Sequence, residues 1–249
     1  MGFPGTTSVW RGFDRWDFIC DGRACIVCAP QAEAPGRPWI WRARFFDAWP
    51  ATDVALLERG FHLVYMDVAD MYGAPCAVAH WNAFHAYLVG TLGFAPKAAL
   101  EGLSRGGLII YNWAIANPDK VACLYADAPV CTIRSWPAGR GVGPGSASDW
   151  AKCLKAYGFS EEQALAYAGN PIDRLAPLAA AGIPLLHVVG DADEAVPVVE
   201  NTAIIEQRYR QLGGQIEVIH KPSCGHHPHS LEDVTPILNF ILRHTGIVG

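Results

Sequence analysis

The sequence predicts an α/β fold: about eight strands in a mostly parallel sheet, with helices on both faces. Three observations carry this. Short apolar runs alternate with segments of helical period along most of the chain. An Asp-Gly dipeptide joins the first two runs as a hairpin turn would. A segment rich in Gly and Pro, followed by short helical pieces, interrupts the rhythm once, at about 131–182.

The elements follow in order. "RWDFICDGRACIVCAP" reads as an antiparallel pair turning at Asp21-Gly22, and "RPWIWRA" as the next strand. "ATDVALLERG" has helical spacing, with Thr52 as its expected cap and Gly60 as its stop. "FHLVYMDVAD" is a strand and "VAHWNAFHAYLVGTLG" a helix. "KAALEGL" is a strand that runs into helix "GGLIIYNWAIANP", where Leu108, Tyr111 and Ile115 share a face and Pro118 closes the element. "KVACLYADAPV" and "IPLLHVVGD" are strands on either side of the interruption. After them come helix "NTAIIEQRYRQLGG", strand "QIEVIHKP" and a last helix from about Thr235-Pro236. All 249 residues are expected in a single domain, with the 131–182 segment as a small cap over the carboxyl ends of the strands, where such sheets bind ligands.

Composition excludes several classes. Half the residues are apolar (51%), enough for a sizeable core, and the net charge of −5 comes without any Lys/Arg run. Neither a nucleic-acid partner nor an anionic membrane is expected. No apolar stretch approaches the ~18 residues of a membrane span. The N-terminus lacks the build of a secretory signal, so a cytoplasmic location is the expectation. Of eight cysteines, Cys25 and Cys28 have C-x-x-C spacing, but on a strand they face opposite sides. Reduced thiols, packed as small hydrophobes, are the expectation for the set. The sequence carries no sign of oligomeric state.

The chemistry centres on "LEGLSRGGLII". Gly102-Leu103-Ser104-Arg105-Gly106 matches G-x-S-x-G between an apolar strand and an amphipathic helix. A sharp turn there puts Ser104 at the apex in a strained conformation, and side chains two positions either side are expected to collide, so glycine stands at both. Gly107 adds room. A serine hydroxyl needs a base to take its proton, and the base needs a carboxylate to fix its tautomer.

"GDADEAVP" follows a strand and supplies the acid: Asp193 is the choice, ahead of Asp191, with Glu194 solvated. Asp127, at the end of "CLYADAPV", is a second location for it. "HKPSCGHHPHSLED" supplies the base: His226, directly after Gly225, with His227 and His229 as pocket or loop residues and His220 structural. Three close histidines also fit a metal site, but the reading prefers none. No cofactor is called for.

With Ser104, Asp193 and His226 in this order, the chain resembles the α/β-hydrolase superfamily, on the segments "GLSRGG", "GDADEAVP" and "GHHPHS". "RPWIWRARFF" and "GLSRGGLIIYNWA" look like an esterase-like, prolyl-oligopeptidase-type branch of small bacterial serine hydrolases. The resemblance implies an oxyanion hole of two backbone N–H groups. One is that of Arg105. The other lies in the loop after the third strand, where Arg42 is the choice and Trp41 or Ala43 the alternatives; the His-Gly usual there is absent. It also implies acyl transfer from a small-molecule or carbohydrate ester, with amide, peptide or lactone hydrolysis, acyl transfer to another acceptor, or a non-enzymatic binding module as alternatives. Trp41, Tyr72, Trp136 and His227 are the expected pocket residues, with Trp39 nearby; the alternative is that the aromatic rings buttress the core or the insertion. Arg42, Arg44 and Arg105 either grip a substrate carboxylate or pair internally with Glu101 or Asp127.

Overall fold

The computed structural model describes residues 2–247. Nine strands form one sheet: β1 (Thr6–Trp10), β2 (Phe13–Cys20), β3 (Arg23–Ala29), β4 (Trp39–Arg42), β5 (His62–Met66), β6 (Ala98–Leu103), β7 (Val121–Asp127), β8 (Leu185–Gly190) and β9 (Ile216–Lys221). Their order is β1-β2-β3-β5-β4-β6-β7-β8-β9. The first three strands pair antiparallel, β3 meets β5 antiparallel, and every later pairing is parallel.

The hairpin at Asp21-Gly22 forms as the sequence predicts, with φ of +50° and +72°, the left-handed pair that suits a two-residue turn between twisted strands. The added edge strand, β1, has four exposed residues in five and no apolar alternation, so periodicity does not reveal it.

The helices are α1 (Ala51–Glu58), α2 (Pro75–Gly90), α3 (Gly106–Ala116), α4 (Ala147–Tyr157), α5 (Glu161–Leu165), α6 (Ala176–Ala180), α7 (Thr202–Gln211) and α8 (Thr235–Thr245). Thr52 does not cap α1. Pro50 holds that position, and Thr52 lies inside the helix with its hydroxyl buried and unpartnered. Pro118 stops α3 as expected, the helix ending at Ala116.

Alternation along the central strands feeds two cores. Trp39, Trp41 and Leu100 point to one face, covered by α2, α3 and α7; Ile40, Ala99 and Leu63 point to the other, covered by α1 and α8. Cys25 and Cys28 also divide between the two faces, and burial pushes both thiols up to about 12. All eight cysteines are free. None of the described helices is long and apolar enough to cross a membrane.

Between β7 and β8 the chain leaves the sheet and carries α4, α5 and α6. A third apolar cluster, including Tyr72, Leu108, Val130 and Cys153, packs this excursion against the start of α3. It thereby walls the carboxyl end of β6.

Candidate active site

Ser104 sits between β6 and α3 with φ of +50°, a conformation that side chains rarely adopt. Three backbone bonds hold it there: its N–H donates to the Asp127 carbonyl (2.8 Å), and its carbonyl accepts from the N–H groups of Val130 (2.9 Å) and Gly107 (2.9 Å). The glycine requirement differs from expectation. A Cβ at Gly102 would lie 2.7 Å from Ile110 Cδ1, and one at Gly107 2.7 Å from both Pro129 Cβ and the Val130 carbonyl. A Cβ at Gly106 would meet nothing nearer than 3.5 Å. Gly102 and Gly107 are therefore the steric requirement. Gly106 instead keeps open the space beside Ala43 and Arg44.

The loops after β8 and β9 bring the other two groups. His226 Nε2 is 3.0 Å from Ser104 Oγ, and its Nδ1 is 2.7 Å from Asp193 Oδ2. Asp193 Oδ1 accepts from the N–H groups of Ala195 (3.0 Å) and Val196 (2.8 Å), so both carboxylate oxygens are engaged and the group is fixed. The Asp193 side chain is 1% exposed and that of His226 14%, a dry acid behind a base that opens to the surface. The two loops lock together: the Ala192 N–H donates to the Cys224 carbonyl (2.9 Å), and a side chain at Gly190 would run into the carbonyls of Cys224 and Gly225.

The remaining acids and histidines pair elsewhere. Asp191 binds exposed His220 (2.6 Å), and Glu194 is exposed. Asp127 Oδ1 meets His229 Nδ1 at 2.6 Å, while its Oδ2 accepts from the Tyr125 hydroxyl (3.0 Å) and the Ser230 N–H (2.9 Å). Asp127 thus anchors the histidine loop from the end of β7. Lys221 adds bonds to the Pro228 (2.6 Å) and Ser230 (3.2 Å) carbonyls. His227 is exposed and stacks on Trp49, with rings 5.1 Å apart and 7° from parallel. Burial, then the neighbouring His229 and His226, lowers its pKa from the ordinary value.

Arg42 is not at the mouth of the site. It is the last residue of β4, paired on both sides, and its guanidinium is buried between Asp53 (2.5 Å) and Glu101 (3.1 Å). It also donates to the carbonyls of Phe45 and Ala48. Burial, then the charge of Asp53, raises the Glu101 pKa well above its ordinary value.

The Ala43 N–H is also spent, on the Glu101 carbonyl (2.9 Å). The next residue, Arg44, has an N–H that donates to no acceptor among the described residues, as does Arg105. Arg44 N lies 3.9 Å from where a Cβ on Gly106 would stand. Arg44, not Arg42, is the first position past the strand with a free N–H.

Trp41 is likewise not a pocket residue. It is fully buried in the core under α2 and α3, stacked on Trp81 at 3.8 Å and 12°, with Trp113 edge-on at 5.1 Å. Trp39 lies beside it, its indole N–H on the Ala95 carbonyl (2.9 Å). A period of two sends both tryptophans inward, whatever loop follows.

Tyr72 and Trp136 do reach the site's flank. With Phe45 they surround the Arg105 guanidinium, at 5.9, 5.6 and 5.6 Å respectively. Arg105 pairs with Asp149 (2.8 Å) rather than with Glu101 or Asp127, and the Tyr72 hydroxyl donates to the same carboxylate oxygen (2.6 Å). Burial acts to raise the Asp149 pKa, but the Tyr72 and Ser146 bonds and the Arg105 charge outweigh it and lower the value. Arg44 has no salt-bridge partner among the described residues; its guanidinium lies over the Phe45 ring at 5.0 Å.

Sequence reading missed Asp149, Trp49 and the Arg44 N–H. Asp149 stands in the first turn of α4, capped by Ser146, where an acid reads simply as a helix start. Beside Gly106 the walls leave a cavity of about 10 Å³ bounded by Ala43, Arg44, Tyr72 and Arg105, room for about one water.

No family model and no curated protein matches this chain. Solved structures do. A puromycin hydrolase superposes at a TM-score of 0.73 with 16% identity, over 95% of this chain and 40% of that one. A Mycobacterium tuberculosis puromycin-hydrolyzing peptidase gives 0.67 with 15% identity, over 88% and 36%. A bacterial membrane phospholipase A, described as a virulence factor, gives 0.57 with 16% identity, over 95% and 86%. The chain spans well under half the length of the peptidases it matches. It has the α/β-hydrolase fold, shared with these structures.

Proposed function

We propose that this chain is a serine hydrolase that cleaves small carboxylic esters through an acyl-enzyme. The observation that carries the reading is the unbroken relay from Ser104 Oγ through His226 to Asp193, at 3.0 and 2.7 Å. Ser104 attacks the carbonyl carbon as His226 Nε2 takes its proton. Asp193 holds the Nδ1 proton in place and stabilises the imidazolium. The oxyanion settles between the N–H groups of Arg105 and Arg44, each such donor contributing about 3–4 kcal/mol at the transition state. His226 then protonates the leaving alcohol, and water repeats the cycle on the acyl-enzyme.

The cavity beside Gly106 holds little beyond an oxygen atom, which supports its use for the oxyanion and leaves the acyl group to the open side. Peptide hydrolysis by the same groups is the second reading, favoured by the peptidases among the similar structures.

A fluorophosphonate probe and a panel of acetyl esters, aryl esters and short peptides test both. Labelling is expected on Ser104 and lost in Ser104→Ala. Ser104→Ala and His226→Ala are each expected to lower turnover by ~10³-fold or more, with the double variant scarcely worse than either. Peptide turnover exceeding ester turnover would replace the first reading by the second. Labelling and turnover unchanged in Ser104→Ala would remove both.

A further inference from the structure

We propose that His226, His227 and His229 form a binding site for a zinc-class divalent cation, and that occupancy switches off the Ser104–His226 pair. The inhibitory half rests on the hydrolase reading; the metal site does not.

The three rings form a near-equilateral cluster. Centroid separations are 4.8 Å (His226–His227), 4.9 Å (His226–His229) and 4.9 Å (His227–His229), and each pair meets edge to face. One ring nitrogen from each lies within 4.8 Å of the others. Tetrahedral zinc with bonds of ~2.0–2.1 Å needs nitrogens about 3.4 Å apart. The cluster must therefore close by little more than an ångström. His227 can supply that movement: it is exposed, and its side chain makes no hydrogen bond among the described residues.

Two of the rings are already oriented as metal ligands are. Asp193 holds His226 Nδ1 and Asp127 holds His229 Nδ1, at 2.7 and 2.6 Å. A carboxylate on one ring nitrogen fixes the tautomer and directs the other lone pair outward, raising its basicity. The two carboxylates also stand directly behind the cluster, where they would balance the charge of a dication. An all-nitrogen donor set selects zinc, copper or nickel over magnesium and calcium.

The inhibition follows from electron counting. The lone pair that accepts the Ser104 proton is the His226 Nε2 pair, and a bound cation takes that pair. Ser104 Oγ then has no base. The fourth position on the metal is left to water.

The test uses the intact chain with zinc chloride and cobalt chloride as the only probes. Calorimetry on Ser104→Ala measures binding without reference to activity, and cobalt absorption reports tetrahedral nitrogen ligation. We expect one ion per chain at low-micromolar affinity, weakened about tenfold or more in His227→Ala. Zinc should suppress fluorophosphonate labelling of the natural chain with the same midpoint, and a chelator should restore it. Binding no tighter than millimolar would overturn the site. So would affinity unchanged in both His227→Ala and His229→Gln, with the ion held instead by a cysteine such as Cys224. Binding of the expected kind that leaves labelling untouched would overturn the inhibitory half. Binding in a chain that the probe never labels would uphold the metal site and count against the hydrolase reading.

Discussion

Three aspartate–histidine pairs crowd one rim of the sheet, and each binds for a different reason. Asp193–His226 continues to a serine, Asp127–His229 is closed off by Tyr125 and Ser230, and Asp191–His220 lies in water. A carboxylate acts through an imidazole only when the ring's other nitrogen faces a nucleophile. This separates the first pair from the second by a measurable outcome. Asp193→Asn should keep the fold and cut turnover on the order of 10³–10⁴-fold, because the amide favours the wrong tautomer. Asp127→Asn should cost about 1–3 kcal/mol of stability in urea unfolding, with the smaller loss of turnover. The reverse pattern would make Asp127 the orienting acid. Among the sequence candidates, Asp193 and His226 were legible because each lies in the loop after a strand, a few residues past its end and close behind a glycine. Asp149 was not, since its bond to Arg105 crosses 44 positions.

At the scale of elements, the turn from β6 to α3 decides the site. α3 is apolar almost all round, with only Asn112 short of burial between Gly106 and Ile115. A helix buried on every side cannot shift to accommodate a new side chain. Gly107→Ala should therefore destabilise by about 1–3 kcal/mol, seen as a lower thermal midpoint. Gly106→Ala should leave the midpoint unchanged or slightly raised, since alanine suits a helix better by up to about 1 kcal/mol. Its turnover should nevertheless fall about tenfold or more, because the new methyl enters the space beside the Arg44 N–H. Equal losses of stability in the two variants would contradict this division. The G-x-S-x-G pattern made the elbow legible. Which glycine is steric and which is functional depended on Pro129, Val130 and Ala43, three residues that other elements bring in.

Across the whole molecule, buried imidazoles set the response to acid. His62 and His187 are each fully buried, and burial lowers their pKa values to about 4 and about 3. For His62, Glu33 opposes the shift and Arg37 adds to it. His187 is held neutral between the Tyr111 and Thr202 hydroxyls, at 2.6 and 2.9 Å. Both folded values lie below the unfolded value of 6.5, so the unfolded chain takes up protons first. Their contribution is complete above about pH 6.5 and is lost progressively as pH falls from there towards the folded values, on the order of 3–5 kcal/mol for each. Urea unfolding at a series of pH values from 7.5 to ~4.5 checks this. A flat profile over that range would contradict the burial of neutral rings.

The sequence by itself determined the order of elements from β2 onward, the two-faced core and the three segments that meet at the rim. Those follow from local chemistry: hydrophobic period, turn residues and glycine placement act over a few positions and need no partner. Tertiary structure alone decided which N–H groups remain unpaired, and that Arg42 is spent on Asp53 and Glu101 while Arg105 is spent on Asp149. A hydrogen bond or an ion pair is a statement about two places in space, and one stretch of chain carries only half of it.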